Sequence, residues 1–412
     1  MEELQRKPSD VHTDYVRRWK EGGGKVLGYA CTATPVEILE AAGVLPYRIK
    51  AFGHPETELG DSYLARFNCR FCRSCLHLGL DGTYDFLDGL IETNGCDHLR
   101  GMFENWQYAR KYDFFHYLKV PHFVRRDSLE YFTEELSLLR LALEEHFGVE
   151  ITDDALREAI GTMNQVQAGL RELYALREGG EPRLSGAEAL QVICTGSSMR
   201  AADFLSLLDR LVEERSRRPA IGGRARLILL GSATDEVDLV AEIEDQGALV
   251  VTDALCYGSR SFWGREGESV EEPLLYLAEK YLGNLFCPRM FTEYERRRDF
   301  VLERARQARV DGAIITYNKF CDLHGVESVS LRQDLERNGI PVLVLEKDYG
   351  SPADAGRIRT RVQAFLERNG IPVLVLEKDY GSPADAGRIR TRVQAFLERI
   401  GSGAVERAGA AR

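Results

Sequence analysis

The sequence has no long apolar segment and no excess of positive charge. None of its hydrophobic runs approaches the roughly 20 residues that a membrane-spanning helix needs, and the amino-terminal stretch lacks the apolar core of a signal peptide. The net charge of -11 argues against a nucleic-acid partner, because phosphate binding depends on clustered Lys and Arg. We therefore expect a cytoplasmic protein that binds neither a membrane nor nucleic acid.

Two common nucleotide-binding loops are also missing. The sequence contains neither a GxxxxGK[ST] phosphate loop nor a complete GxGxxG fingerprint, so we predict that this chain binds neither ATP nor a dinucleotide. Nine cysteines are present without an export signal. Because disulfides are rare in reducing compartments, these thiols indicate metal binding, redox chemistry or burial in the core.

Three apolar, β-rich runs share one feature, which is that each ends in a cysteine. They are residues 25–31, 85–96 and 311–321, ending in Cys31, Cys96 and Cys321. Nearly continuous apolar runs are typical of strands in a parallel sheet that is covered on both faces. Ligands of such sheets bind at the carboxyl ends of the strands, so the three cysteines predict a functional site there.

Strand-like and helical patterns alternate at both ends of the 412-residue chain, which is too long for one ordinary core. This alternation predicts an α/β fold with two Rossmann-like parallel-sheet domains and a helical connecting segment. We place an N-terminal α/β domain at residues 1–126, the helical connector at 127–219, a C-terminal α/β domain at 220–400 and a disordered tail at 401–412. Within the connector, apolar residues recur at helical spacing: Phe132, Leu136, Leu139 and Leu143.

The carboxyl-terminal part of the chain contains an internal duplication. Residues 335–368 recur identically at 366–399. A solenoid needs at least about three stacked repeats, which normally diverge from one another. We therefore interpret the two copies as a recent tandem duplication or an artefact of gene assembly, and we expect the second copy to pack at the edge of the fold or to hang loose.

Three further cysteines, Cys69, Cys72 and Cys75, follow one another at a spacing of three. This spacing predicts a helix, and residues three apart share one helix face, so the three thiols could not easily surround a single metal. We expect one of them, at the helix start, to join cysteines from elsewhere. Three thiolates on an iron-sulfur cluster leave one iron open to bind a substrate oxygen. The lone cysteines are interpreted as core residues: Cys194, Cys256 and Cys287.

Several ordered motifs resemble the catalytic subunits of the 2-hydroxyacyl-CoA dehydratase and benzoyl-CoA reductase superfamily. They are Gly28–Pro46, Asn68–Cys75, Tyr84–Gly89 followed by Cys96 and Asp97, Tyr317–Asp322, and Thr360–Leu366. The resemblance implies an acyl-CoA substrate, a paralogous second subunit, and α/β domains around an oxygen-sensitive 4Fe-4S cluster. It also implies a separate ATP-hydrolysing iron-sulfur activator that supplies one electron at a time.

The resemblance further implies which thiols hold the cluster. The ligands would be Cys69, Cys96 and Cys321, with Cys72 or Cys75 as alternatives to Cys69. In this family the position of Cys31 and the next residue lies beside the cluster, so Cys31 would face the substrate instead of serving as a ligand.

Polar residues near the strand ends are candidates for stabilising negative charge on the thioester oxygen. They are Thr32, His98, Arg100 and Arg260. His98 and Arg100 have an alternative role in capping or salt-bridging the helix after Cys96. We expect Glu37 to stabilise the first turn of the helix after Pro35 through the helix dipole.

The carboxyl-terminal segment from Glu346 to Phe365 resembles the benzoyl-CoA reductase branch. We therefore predict a subunit that takes part in ATP-coupled, radical one-electron reduction of an aromatic ring. Three alternatives stay open: a 2-hydroxyacyl-CoA dehydratase subunit that forms enoyl-CoA by reductive syn-elimination of water, a non-catalytic electron-relay partner, and a zinc-stabilised structural protein.

Overall fold

The computed structural model describes residues 11–222, 224–264, 271–350 and 352–370. Eight strands in these ranges form two sheets in which every strand pair is parallel. The first sheet contains β1 (Val26–Tyr29), β2 (Leu45–Arg48), β3 (Gly89–Thr93) and β4 (Phe114–Leu118), in the order β2-β1-β3-β4. The second contains β5 (Ala225–Gly231), β6 (Ala248–Ala254), β7 (Gly312–Asn318) and β8 (Val342–Lys347), in the order β6-β5-β7-β8. The predicted α/β fold with two parallel sheets is confirmed.

Helices cover both sheets and link them. Those up to the end of the first sheet are α1 (Asp14–Glu21), α2 (Val36–Ala41), α3 (Glu58–Asp61), α4 (Arg70–Leu80) and α5 (Asp97–Arg110). The linking helices are α6 (Arg126–Phe147), α7 (Asp153–Glu178), α8 (Gly186–Gly196) and α9 (Ala201–Ser216). The second sheet is accompanied by α10 (Val237–Glu244), α11 (Pro273–Gly283), α12 (Tyr294–Gln307), α13 (Asp322–Arg337) and α14 (Pro352–Arg368). Each helix in the described part of the chain is too short or too polar to cross a membrane.

The linking helices lie between β4 of the first sheet and β5 of the second. The apolar stripe expected in α6 is buried, as its helical spacing predicts: Phe132, Leu136, Leu139 and Leu143 are fully inaccessible to solvent. The helix α7 packs along α9 and also contacts α2 beside the first sheet. The segment is therefore packed against the first sheet as well as connecting the two sheets in sequence.

The sequence pattern does not predict the strand β2. Pro46 and Arg48 interrupt its apolar run, so neither a continuous apolar run nor a regular alternation marks this short strand. The strand lies at the edge of the first sheet, and an edge position tolerates a proline because one side of the strand needs no hydrogen-bond donor.

The first copy of the duplicated segment completes the second sheet. It supplies the edge strand β8 and the helix α14, which buries Ile358, Val362 and Leu366. The second copy from residue 371 onward, including the predicted tail at 401–412, lies outside the described residues.

The carboxyl edges of the two sheets meet. Asp235, which follows β5, accepts hydrogen bonds from the amides of Ala51 (2.7 Å) and Phe52 (2.9 Å), which follow β2. The Tyr349 hydroxyl, beyond β8, donates to the same carboxylate at 2.6 Å. One continuous cluster of buried apolar residues also extends from the first sheet into the second. The ligand-binding edges that parallel sheets provide therefore face each other.

Glu37 occupies the first turn of α2, as expected from its position after Pro35. Its carboxylate is nevertheless fully buried and lies 3.0 Å from the Lys280 ammonium in α11. A buried ion pair between two helices, rather than the helix dipole alone, therefore determines the surroundings of Glu37.

Candidate functional site

The strand-end cysteines lie where the strand order reverses in each sheet. Cys31 follows β1 and Cys96 follows β3, and these two strands are adjacent although β2 separates them in sequence. Cys321 follows β7, which is paired with β5 at the equivalent position of the second sheet. Such switch points form crevices at the carboxyl ends of strands, and they are the usual ligand sites of open α/β sheets.

Each of the three predicted ligand cysteines is the N-cap residue of a helix. Cys69 precedes α4, Cys96 precedes α5 and Cys321 precedes α13. The Leu99 amide donates a hydrogen bond to Cys96 Sγ at 3.4 Å. A helix N-terminus stabilises negative charge, so it offsets part of the cost of burying a thiolate at these positions.

The three thiols influence one another electrostatically. A hydrogen bond from the Cys72 thiol and a second contact with His98 hold the pKa of Cys69 well below its usual range. Burial raises the pKa of Cys96 to about 12 and also raises that of Cys321, and negative charge on Cys69 raises both further. Three neighbouring thiols that resist simultaneous ionisation favour binding of a cationic group that neutralises them.

The donor set fits the cluster that the resemblance implies. All nine cysteines are free thiols, and three of them begin helices at one site. Among the described residues, no three His, Cys, Asp or Glu side chains are arranged to hold a single metal ion. A 4Fe-4S cluster is larger than one ion, so its thiolates lie farther apart, and three thiolates leave the fourth iron open.

His98 and Arg100 have different surroundings on α5. The Cys69 amide donates to His98 Nδ1 at 3.1 Å, so His98 connects the start of α4 with α5. The Cys69 sulfur raises the pKa of His98. Arg100 is exposed and pairs with Glu104 at 3.2 Å on the same helix. The contacts of Arg100 match the salt-bridge alternative, whereas His98 lies against a predicted ligand.

Cys31 and Thr32 are half-buried at the end of β1. The Ala33 amide donates to Cys31 Sγ at 3.5 Å, and the nearby Thr34 hydroxyl is buried without a hydrogen-bond partner. Gly95 faces Cys31 across the crevice, where an added Cβ would lie 3.6 Å from the sulfur. The lack of a side chain at Gly95 leaves space beside Cys31.

The other two cysteines of α4 point into the protein core. Cys72 and Cys75 are fully buried. The hydrogen bond to Cys69 raises the pKa of Cys72, and burial raises that of Cys75. Cys69, by contrast, is the N-cap residue at the helix start, which is the position that the spacing of the three cysteines indicates for a ligand.

Comparison with known proteins identifies the family of the chain. A family model described as 2-hydroxyglutaryl-CoA dehydratase, D-component, matches residues 31–369. The chain belongs to this dehydratase family.

Curated relatives agree with the family model. A benzoyl-CoA reductase subunit from Thauera aromatica is 28% identical over 343 residues, covering 81% of this chain and 89% of the relative. The (R)-phenyllactyl-CoA dehydratase beta subunit of Clostridium sporogenes is 25% identical over 352 residues, covering 85% and 93%. The beta subunit of (R)-2-hydroxyglutaryl-CoA dehydratase from Acidaminococcus fermentans is 26% identical over 374 residues, covering 89% and 97%. The predicted superfamily is confirmed, and its members are subunits of dehydratase or reductase enzymes.

Two residues that this dehydratase-family chain contributes to the site are missed by sequence reasoning. Arg289 is buried, and its Nη2 donates to the Val120 carbonyl at 2.8 Å beyond the end of β4. Cys287, interpreted from the sequence as a core residue, has a pKa raised by burial and opposed by the charges of Arg260 and Arg289. Both residues lie in an irregular loop after α11, where no periodic pattern marks them.

Arg260, by contrast, is identifiable from its position after β6. Its guanidinium donates to the carbonyls of Gly231 (2.8 Å) and Phe286 (2.9 Å). A cavity of about 30 Å³ lies beside it, also lined by His324 and Glu327. This volume has room for only about one or two water molecules, so the cavity does not accommodate an acyl thioester.

Proposed function

We propose that this chain is a subunit of an oxygen-sensitive enzyme that reduces acyl-CoA thioesters by single electrons, with a 4Fe-4S cluster held by Cys69, Cys96 and Cys321. The observation that carries the proposal is that these three free thiols cap three helices at the facing edges of two parallel sheets. Membership in the dehydratase family supports it. The chain would work in the cytoplasm with a paralogous subunit and an ATP-hydrolysing activator.

The residues around the thiols would each have a distinct task. When bound, the cluster supplies single electrons and an open iron that acts as a Lewis acid. The amides at the starts of α4, α5 and α13 stabilise negative charge on the ligand sulfurs. Cys31 and Thr32 border the crevice on the substrate side, and His98 fixes the start of α4. Contact between the carboxyl edges of the two sheets limits access of water to the site.

Among the reactions of the superfamily, we favour ring reduction for the enzyme that contains this chain. It is supported by the benzoyl-CoA reductase subunit among the relatives and by the similarity of Glu346–Phe365 to that branch. The alternative, reductive elimination of water from a 2-hydroxyacyl thioester, is supported by the dehydratase subunits. Anaerobic protein, combined with its partner and activator, should convert benzoyl-CoA and leave a 2-hydroxyacyl-CoA unchanged. The opposite preference would establish the dehydratase alternative.

A role as an electron-relay partner is the second alternative. The cavity beside Arg260 is about 30 Å³ and no cysteine in the described part of the chain lines it, so it is not a substrate pocket, and in this alternative acyl-CoA binds to the paralogous subunit. If this chain is a relay, its cluster will be reduced by the activator while acyl-CoA binding is detected on the paralogous subunit alone. Binding of acyl-CoA to this chain in isolation would eliminate the relay alternative.

A further inference from the structure

Three arginines are buried without a carboxylate partner. Arg48, Arg260 and Arg289 are 3%, 9% and 4% exposed, and none takes part in an ion pair within the described ranges. Burying a guanidinium in a low-dielectric interior is expensive unless an opposite charge compensates it. Their uncompensated positive charge stands in contrast to the net charge of -11 of the whole chain.

The remaining buried arginines of the described chain follow the usual rule. Each has a carboxylate partner in Asp61, Asp253, Glu214, Glu327 or Glu178; the arginines are Arg73, Arg177, Arg215, Arg297 and Arg304. This fold thus supplies carboxylates to buried arginines elsewhere. The three exceptions therefore call for a different anionic partner.

All three exceptions lie near cysteines, and backbone carbonyls hold the guanidinium groups in position. Arg48 Nε donates to the Ala30 carbonyl at 3.1 Å, directly before Cys31, and its Nη1 donates to the Cys256 carbonyl at 2.6 Å. Arg260 donates to the Phe286 carbonyl, directly before Cys287. Carbonyl oxygens satisfy hydrogen-bond donors but do not neutralise the positive charge.

Arg289 has the most direct relation to the thiols. Its Nη1 and Nη2 donate to the carbonyls of Pro121 (3.0 Å) and Val120 (2.8 Å), while its Nε is buried without a partner. Burial lowers the pKa of Arg289, and the thiols of Cys31, Cys287 and Cys96 oppose this effect. Two backbone carbonyls therefore hold the guanidinium in position, and its charge interacts with Cys31 and Cys96, the strand-end cysteines of the first sheet.

We propose that Arg48, Arg260 and Arg289 are the counter-charges of a thiolate-bound group whose total charge, thiolates included, is negative, and that they set its reduction potential. Under the proposed function, on which this inference rests, the group is the thiolate-ligated cluster. Each added electron makes the group more negative, and a fixed positive charge in a low-dielectric site stabilises the reduced form more than the oxidised form. The arginines therefore raise the midpoint potential and make one-electron loading easier.

The test is a redox titration of the cluster in the complete chain, in which electron paramagnetic resonance measures the reduced fraction at each potential. Arg289→Gln removes the charge and keeps hydrogen-bond donors, whereas Arg289→Lys keeps the charge. We expect Arg289→Gln to lower the midpoint potential by at least about 59 mV, a tenfold change in the ratio of reduced to oxidised protein for one electron. Arg289→Lys should stay close to the wild type. Arg306→Gln, at an exposed position of α12, controls for net charge.

Each outcome decides the matter. A wild type that binds no cluster overturns the proposed function before potentials are compared. An Arg289→Gln potential equal to that of the wild type and of Arg306→Gln overturns this inference alone. If Arg289→Gln loses the cluster while Arg289→Lys retains it, the counter-charge role is supported. If both variants lose it, Arg260→Gln is titrated instead, and an unchanged potential there overturns the inference.

Discussion

The ammonium of Lys280 lies 3.0 Å from Glu37 Oε1, and both side chains are buried. The Tyr281 hydroxyl donates to the other carboxylate oxygen at 2.6 Å, and Lys280 also donates to Asn164 Oδ1 at 2.9 Å. The pair joins α2, which follows Cys31 in the chain, to α11, which precedes the loop that contains Arg289. This contact therefore holds two sides of the site together.

Removing Lys280 should strongly destabilise the protein. In Lys280→Met the Glu37 carboxylate is left buried without a counter-charge, so we expect the free energy of unfolding to fall by about 3–5 kcal/mol. Urea denaturation measures this change. The exposed pair Arg332 and Glu336 provides the control, because Arg332→Ala should cost less than about 1 kcal/mol. Equal effects of the two substitutions would contradict the structural role of Lys280.

Lys50 should make stability depend on pH in a defined direction. Its Nζ donates to the Arg48 carbonyl at 2.9 Å and lies over the Tyr47 ring, and burial lowers its pKa from 10.5 to about 7. Between these two values the unfolded chain binds a proton that the folded chain does not. The free energy of unfolding should therefore rise with pH in this window, by up to about 1.4 kcal/mol per pH unit.

The measurement for Lys50 is a series of urea unfolding curves at pH 7 to 9 on the wild type and Lys50→Met. The difference in unfolding free energy between the two proteins should change with pH, in favour of the wild type as pH rises. Comparing slopes removes the constant effect of lost packing. Parallel pH profiles would show that Lys50 keeps an ordinary pKa in the folded state.

Gly350 should be intolerant of any side chain. Its φ of +66° lies in the left-handed region, and an added Cβ would lie 2.4 Å from the Gly53 carbonyl oxygen across the contact between the two sheets. We expect Gly350→Ala to cost at least about 2 kcal/mol, from backbone strain and from the clash. Thermal unfolding checks this against Gly356→Ala in α14, where the Cβ meets nothing and should stabilise the helix by about 0.5–1 kcal/mol. A neutral Gly350→Ala would refute the close contact between the sheets.

The fold and part of the site could be predicted from the sequence, because they depend on local patterns of apolar residues. The rest of the site depends on contacts between distant segments. Buried parallel strands require continuous apolar runs, so β1, β3 and β7 and the cysteines after them are recognisable. The roles of Arg289 and Arg48 could not be predicted from the sequence, since their burial depends on tertiary contacts with carbonyls from distant segments. The prediction that Cys69 is a ligand and Cys31 is not likewise rests on the family resemblance, because neither hydrophobic pattern nor spacing along the chain distinguishes the two cysteines.

The second copy of the duplicated segment should be dispensable. The first copy already provides the edge strand β8 and the helix α14, so a chain that ends at residue 370 retains every strand of both described sheets. We expect its thermal midpoint to lie within a few degrees of the full-length value, which corresponds to less than about 1 kcal/mol. Loss of folding on truncation would show that the second copy belongs to the packed structure.

Metal analysis of single cysteine variants tests the central claim most directly. After anaerobic purification and reconstitution, the wild type and the core variant Cys194→Ala should contain about four irons and four sulfides per chain, as one 4Fe-4S cluster requires. Cys69→Ala, Cys96→Ala and Cys321→Ala should each retain less than about one iron, because each removes one of three ligands. A colourless wild type that contains zinc without acid-labile sulfide, or full iron content in these three variants, would contradict the proposed cluster site.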